Sequence, residues 1–126
     1  KLTPSVSRQV WSFCEGVAKI VWTVTTHTDG AASLATAYSY FGAVTSVVTN
    51  PGATAPTDNW DLTITDADSY DVLQGVGADR DTTNTETAEP ATVSLVFGKL
   101  TLNVTNGGNT KDLVVTLFIL GSRQPQ

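Results

Sequence analysis

The sequence of 126 residues has one cysteine, no methionine and few charged residues. The single Cys14 cannot form an intramolecular disulfide, which argues against a secreted module built on such bridges. We expect Cys14 to be a small buried apolar residue. No apolar run approaches the roughly 18–20 residues of a membrane-spanning helix. The start, Lys1-Leu2-Thr3-Pro4, lacks the apolar region of a signal peptide. The sequence therefore predicts no contact with a membrane.

Charge of either sign is scarce, at 15% of the residues, and acids outnumber bases by 12 to 7. The basic residues are scattered along the chain, whereas a nucleic-acid surface needs clustered lysines and arginines. We therefore expect no nucleic-acid partner. The length suffices for one domain, which buries about two thirds of its unfolded surface and needs no metal to hold a core.

Residues 58–77 (DNWDLTITDADSYDVLQGVG) carry the clearest structural pattern. Trp60, Leu62 and Ile64 alternate with polar residues, which is typical of a half-buried strand. A polar turn rich in aspartate follows, and then a short apolar return at Val72 and Leu73. This order predicts a β-hairpin or a sharp corner.

Residues 113–120 (LVVTLFIL) are the most apolar stretch. Leu113, Val115, Leu117 and Ile119 fall on one side of the predicted strand. Val114, Phe118 and Leu120 fall on the other. A strand that is apolar on both sides is either central and covered on both faces or lies at a subunit interface.

The whole pattern predicts an all-β protein, an antiparallel β-sandwich of the jelly-roll or immunoglobulin-like kind with seven to eight strands. We expect one domain over residues 10–121, an N-terminal arm over 1–9 and a C-terminal tail over 122–126. A first strand starts at Val10, and residues 17–27 form the second. Residues 31–41 fit a short helix or a strand, and we favour the strand. Asn106-Gly107-Gly108-Asn109 is predicted to be a hairpin tip.

Residues 75–92 are polar and contain glycine, and they show no apolar period. A loop of this length is uncommon in a compact domain. Two interpretations stay open. The segment is a solvated excursion, or it contacts a partner subunit and becomes ordered there.

No catalytic signature is present, and we expect neither an enzyme nor a cofactor. Asp66, Asp68 and Asp71 form the one weak candidate for a cation site. They match a calcium loop poorly, and aspartates are common in turns because they bond to their own backbone. We therefore favour a turn without a metal. His27 ends a predicted strand with no second histidine beside it, and we expect it to be exposed.

The three tryptophans could form a sugar-binding platform or pack in the core. Trp22 and Trp60 occupy inward positions of predicted strands, which favours the core. Trp11 is left open.

Residues 48–120 resemble a known group of proteins. The phrases T-N-P-G, P-T-D-N-x-D and D-V-L, and the closing L-T-L-x-V-x-N-x-G strand pair, are similar to those of small structural proteins from the virion of tailed bacteriophages. Where that group favours a D-A-D-G turn, this chain has Ser69-Tyr70. The resemblance implies a β-sandwich that serves as a capsid decoration (cement) protein or as a head or tail accessory protein.

The resemblance thus implies a protein on the outer capsid surface of a virion, bound to the major capsid protein and assembled as a homodimer or homotrimer. We expect its contacts in the arm, in the loop over 75–92 and on the outer face of the last strand. The candidate interface residues are Val6, Arg8, Val10, Arg80, Val114 and Phe118. The alternatives are a tail or head–tail accessory protein and a carbohydrate- or cell-binding β-sandwich module. A small hydrolase is the least favoured alternative.

Overall fold

The computed structural model describes residues 16–123, which form eight β-strands and no helix. The all-β class and the number of strands are confirmed. The predicted arm, the strand from Val10, and the residues Cys14 and Trp11 lie outside the described part. The strands are β1 (Val17–Thr25), β2 (Ala32–Ala35), β3 (Tyr40–Pro51), β4 (Asp61–Thr65), β5 (Glu86–Ala88), β6 (Leu95–Gly98), β7 (Thr101–Thr105) and β8 (Asp112–Arg123).

The strands form two antiparallel sheets. Sheet A has the order β1-β8-β3-β5, with β6 also pairing with β3, and sheet B has the order β2-β7-β4. β6 pairs with the start of β3 and β5 with its later part, so the two short strands follow one another along the same side of β3. Among the described strands, β8 is therefore central and β1 lies at the edge of sheet A.

The core lies between the inner faces of the two sheets. Trp60 is fully buried and Trp22 is 6% exposed, which confirms that both pack in the core. The prediction that one side of β8 is apolar and faces inward is confirmed as well. Leu113, Val115, Leu117 and Ile119 are all buried. Each fully buried leucine or isoleucine contributes roughly 1.5–3 kcal/mol before the entropy cost of ordering it. The largest fully buried side chains are Trp60, Leu62, Ile64, Leu73, Leu100, Leu102, Leu113, Leu117, Ile119, Val24, Val47 and Val72.

The chain turns a sharp corner after β4, as the sequence predicts. An isolated bridge joins Thr65 to Asp71, and Val72 and Leu73 after it are fully buried. The N–H of Val72 donates to the carbonyl of Ile64 at 2.8 Å. The corner thus returns apolar residues to the core beside the strand that precedes it.

Several predicted boundaries differ from the structure. The segment over 106–109 is not a hairpin tip, because β7 pairs with β2 and β4 while β8 pairs with β1 and β3. It carries the chain from one sheet to the other. The predicted strand over 31–41 is broken after Ala35, and β3 begins at Tyr40. The end of β8 at Arg123 lies two residues beyond the predicted end of the domain. No helix within residues 16–123 is long and apolar enough to cross a membrane.

Candidate interface: the outer face of sheet A

The outer face of sheet A carries apolar side chains although no sheet of the described residues covers it. On β1 and β8, side chains alternate between the core and this face, as their burial patterns show. The strand β6 contributes Leu95 and Phe97, and Val93 continues the same alternation just before it. We call this surface the apolar face. Its large apolar members are Val17, Val21, Phe41, Val48, Val93, Leu95, Phe97, Val114, Phe118 and Leu120.

The register of the strands makes the apolar face continuous. Val17 lies opposite Leu120, Leu120 opposite Ala43, and Ala43 opposite Leu95, so one apolar row crosses four strands. In the neighbouring row Phe41 pairs with Phe97. Their ring centroids are 5.0 Å apart in an edge-to-face arrangement with an interplanar angle of 71°. Cross-strand pairs of this kind stabilise a sheet locally, and here they also present one connected surface.

The apolar face is unusually exposed for a small monomer. Phe97 is 81% exposed, Val93 77% and Leu95 68%. Val17, Val21 and Leu120 are each more than half exposed as well, whereas single exposed apolar side chains are the normal case on a small protein. A connected patch of such side chains indicates a binding surface.

The outer face of sheet B is polar by contrast. Asn103 on β7 donates from Nδ2 to the hydroxyls of Thr63 at 3.4 Å and Thr65 at 3.2 Å. Ser33 on β2 donates to the Oδ1 of Asn103 at 3.2 Å. These side chains satisfy one another and suit a solvated surface. The two sides of the sandwich therefore differ in chemistry.

The charged residues are also distributed unevenly between the two sheets. The strands of sheet A place two charged residues on the apolar face, Lys19 near the start of β1 and Asp112 at the start of β8. Most acids of the chain lie on β4 and in the segment that follows it. The net charge of −5 therefore does not oppose an approach to the apolar face.

The predicted interface residues lie in three places. Val114 and Phe118 are on the apolar face and are half-buried. Arg80 is engaged within the chain, since its side chain is 14% exposed and its Nη1 lies 3.5 Å from the Oε1 of Glu86. Val6, Arg8 and Val10 are outside the described residues. Whether these six residues contact a partner remains a prediction.

Leu95, Phe97 and Val93 are not among the interface residues predicted from the sequence. Their alternation with the buried Ser94 and Val96 shows which residues share a side. It does not show which side is outward, because that depends on the pairing of β6 with β3.

The aspartate cluster after β4 serves the turn. Asp66 accepts the N–H groups of Asp68 at 2.9 Å and Tyr70 at 3.0 Å through Oδ1. Asp71 accepts the N–H groups of Ile64 and Leu73 through Oδ1, and it accepts the N–H group of Gly75 through Oδ2. These oxygens orient the backbone of the corner. Within residues 16–123, no three His, Cys, Asp or Glu side chains are placed to hold a metal ion.

Replacing Asp71 with alanine is expected to lower the free energy of unfolding by about 2 to 3 kcal/mol, because three backbone donors lose a charged acceptor. Denaturant unfolding followed by tryptophan fluorescence measures the change. The matched control is Asp68→Ala, since Asp68 is exposed and bonds to Asp66 through its backbone N–H. Equal losses in the two variants would contradict this role of Asp71.

The polar segment over 75–92 is held by contacts within the chain. It contains β5, and Arg80 forms an isolated bridge with Trp60. Asp81 accepts the backbone N–H of Thr83 at 2.6 Å and the side-chain amide of Asn84 at 2.9 Å. These hydrogen bonds, that of Thr83 first, hold the pKa of Asp81 below its usual value. The segment is therefore structured before any partner binds.

Two of the shallow clefts on the surface of residues 16–123 are candidates for a ligand site. One, of about 390 Å³, is lined by β1, Tyr40 and the end of β8. Burial, opposed by the charge of Arg123, raises the pKa of Tyr40. The other cleft, of about 300 Å³, includes His27 and Asn103. His27 is exposed, as predicted. Neither cleft joins the histidine to a cluster of carboxylates.

The described tryptophans and tyrosines form no exposed planar platform. Trp22, Trp60 and Tyr40 are buried. Tyr38 lies under the guanidinium of Arg123, whose Cζ is 4.1 Å from the ring centroid, and Tyr70 is in the turn after β4. These rings are dispersed, which is typical of a protein that binds through a broad surface.

No family model matches the sequence, and no curated protein does. Among solved structures, the chain is similar to FLHE as seen in a crystal structure of that protein. The two are 11% identical, the alignment covers 82% of this chain and 96% of that chain, and the TM-score is 0.42. That similarity is too low to carry an argument about function.

Proposed function

We propose that the chain is a structural protein of a tailed-bacteriophage virion, a decoration (cement) protein that binds the outer capsid shell. The observation that supports this most directly is the apolar face, where Phe97, Val93 and Leu95 are largely exposed and form a connected apolar surface with Leu120 and Val17. The sequence resemblance over residues 48–120 points to the same class of protein.

The contrast between the two sheets supports an adhesive role with a defined orientation. Phe97 and Leu95 on sheet A are exposed, whereas Asn103 and its threonine neighbours on sheet B bond to one another. In the proposed complex the apolar face lies against the major capsid protein and the polar face is solvated.

The proposed mechanism is mass action and needs no chemical step. A protein that binds the assembled lattice but not its separated subunits stabilises the lattice by about 2.7 kcal/mol per site at a free concentration of one hundred times Kd. Many such sites would resist the outward pressure on the shell. As a homo-oligomer the protein would bridge neighbouring capsomers, since each subunit presents the same patch.

Counting the copies of the chain in intact phage particles tests the proposal. We expect copies in proportion to the capsomers of the shell, measured by quantitative gel against the major capsid protein. The purified chain should also sediment with shells that lack it. A handful of copies would contradict a shell protein and favour a tail or head–tail accessory role. Absence from the particle would overturn the proposal as a whole.

A further inference from the structure

The segment over 106–108, which carries the chain from β7 towards β8, contains a pair of residues that reacts spontaneously in unfolded proteins. Asn106 is the asparagine of this chain that is followed by glycine, whereas proline, tryptophan, threonine or valine follows the others. Glycine has no Cβ to hinder its own nitrogen or to restrict its backbone. The nitrogen of Gly107 is therefore the least hindered nucleophile beside any asparagine side chain in the sequence.

The reaction is deamidation through a cyclic imide. The nitrogen of Gly107 forms a bond to the Cγ of Asn106 and gives up its proton to solvent. The Cγ–Nδ2 bond breaks as the side-chain nitrogen takes up a proton and leaves as ammonia. Water then adds to one carbonyl of the ring and opens it to aspartate or isoaspartate. Overall, one water molecule is consumed, one ammonia is released, and an uncharged amide becomes a carboxylate.

The fold holds both reacting nitrogens in hydrogen bonds. The attacking nitrogen, that of Gly107, donates its N–H to the carbonyl oxygen of Gly30 at 2.9 Å. The leaving nitrogen, Nδ2 of Asn106, donates to the Oδ2 of Asp61 at 2.6 Å. Asp61 is itself held in place, since its Oδ1 accepts the N–H of Asp79 at 3.0 Å. The attack therefore requires the bond to Gly30 to break, and the release of ammonia requires the bond to Asp61 to break.

The packing around Gly107 resists such an opening. Gly107 is buried, and a Cβ built on it would lie 2.9 Å from the Cγ2 of Thr26. Its carbonyl oxygen accepts the N–H of Thr57 at 3.0 Å, and the carbonyl oxygen of Gly108 accepts the hydroxyl of Thr26 at 2.6 Å. We call residues 26–30, 57, 61 and 106–108 the junction. A segment held by this many contacts opens rarely, so the reaction is slow while the junction is closed.

We propose that Asn106 is a deamidation site that the closed junction protects, and that its conversion to aspartate weakens the junction. In the product, a carboxylate replaces the donor amide and faces Asp61 across what was a hydrogen bond of 2.6 Å. Two carboxylates this close repel each other. Asp61 lies opposite Thr105 at the end of the ladder between β4 and β7, so the repulsion acts on sheet B. Conversion therefore favours the open junction from which the reaction started.

Incubation of the full chain at mildly alkaline pH, followed by peptide mapping with mass spectrometry, tests the protection. In guanidinium chloride, Asn106 should be the first asparagine to convert. In buffer of the same pH without denaturant, its conversion should be slower by roughly tenfold or more, because the reaction then waits for the junction to open. Equal rates in the two solvents, or faster conversion of another asparagine in the denaturant, would overturn the proposal.

A charge-exchange experiment tests the effect of the product. Asn106→Asp reproduces the change of charge and should lower the Tm by roughly 3–6 °C, because two carboxylates then meet. The double variant Asp61→Asn, Asn106→Asp should recover most of that loss. Its amide at position 61 donates to the carboxylate at position 106 through Nδ2, while its Oδ1 still accepts the N–H of Asp79. Thermal unfolding followed by circular dichroism measures each Tm.

The matched control is Asn109→Asp, which adds the same charge three residues further along the chain. Asn109 is exposed, and its Oδ1 accepts the hydroxyl of Thr110 at 2.8 Å, as an aspartate would too. Its Tm should stay within about 2 °C of the wild type. An equal loss in Asn106→Asp and Asn109→Asp, or no recovery in the double variant, would show that positions 61 and 106 do not repel each other and would overturn the predicted effect of the modification.

Discussion

Gly121→Ala is expected to lower the free energy of unfolding by about 3 kcal/mol or more, a large part of the 5–15 kcal/mol of an ordinary domain. Gly121 on β8 lies directly opposite Gly42 on β3. A Cβ at position 121 would fall on the carbonyl oxygen of Phe41 and within 2.7 Å of the Cα of Gly42. These are backbone atoms, so the methyl group can be accommodated only by separating the two strands.

The consequence reaches the candidate interface. The residues beside this glycine pair, Leu120 and Ala43, belong to the apolar row that crosses sheet A. Separating β3 from β8 at this point would displace Phe41 as well. We therefore expect Gly121→Ala to impair partner binding in addition to stability, whereas binding variants on the surface should affect binding alone.

Gly16→Ala is the matched control for this prediction. Gly16 is hydrogen-bonded to Gly121 at the same end of the sheet, but a Cβ there meets nothing within 4 Å. Its free energy of unfolding should stay within about 0.5 kcal/mol of the wild type. Urea denaturation measures both variants. A Gly121→Ala protein as stable as Gly16→Ala would show that the two strands do not approach this closely.

The double variant Leu95→Ser, Phe97→Ser is expected to weaken binding to capsid shells roughly hundredfold. Each side chain is largely exposed in the free protein, and burying one against a partner is worth roughly 1.5–3 kcal/mol before ordering costs. A combined loss of about 3 kcal/mol corresponds to a factor of about one hundred. Co-sedimentation with shells that lack the protein gives the dissociation constant.

The control for the double variant is Thr63→Ala, Thr105→Ala on sheet B. Both threonines are exposed on the polar face, so this variant should bind shells as the wild type does. Circular dichroism should show that both double variants keep the β-sheet fold and melt only a few degrees lower, since they lose the Phe41–Phe97 pair or the hydrogen bond from Asn103 to Thr63 but leave the core unchanged. Loss of binding in the control, or tight binding by the variant of the apolar face, would contradict the proposed orientation.

The strands whose patterns are local could be predicted from the sequence. Trp60, Leu62 and Ile64 on β4 alternate with polar residues, and each is buried in the structure. The two apolar sides of residues 113–120 predicted either a central strand covered on both faces or a strand at a subunit interface. β8 is central among the described strands, and Val114 and Phe118 lie on its outer side. In these strands the alternation of side chains, which decides which of them are buried, can be read within one short stretch of the sequence.

Features that depend on distant residues were not predictable in this way. The Asn-Gly-Gly-Asn segment has the composition of a hairpin turn, but Gly107 donates to the carbonyl of Gly30 at 2.9 Å and accepts from Thr57 at 3.0 Å. These contacts hold the segment between the sheets, and no local pattern encodes them. The close approach of Gly42 and Gly121 likewise follows from the order of the strands.

A reconstruction of the intact phage particle tests the central claim most directly, because it shows which surface of the sandwich meets the shell. We expect density for the eight strands on the outside of the capsid, with Leu95 and Phe97 directed at the major capsid protein and Asn103 facing solvent. A sandwich bound through sheet B, with its large apolar side chains open to water, would contradict the account.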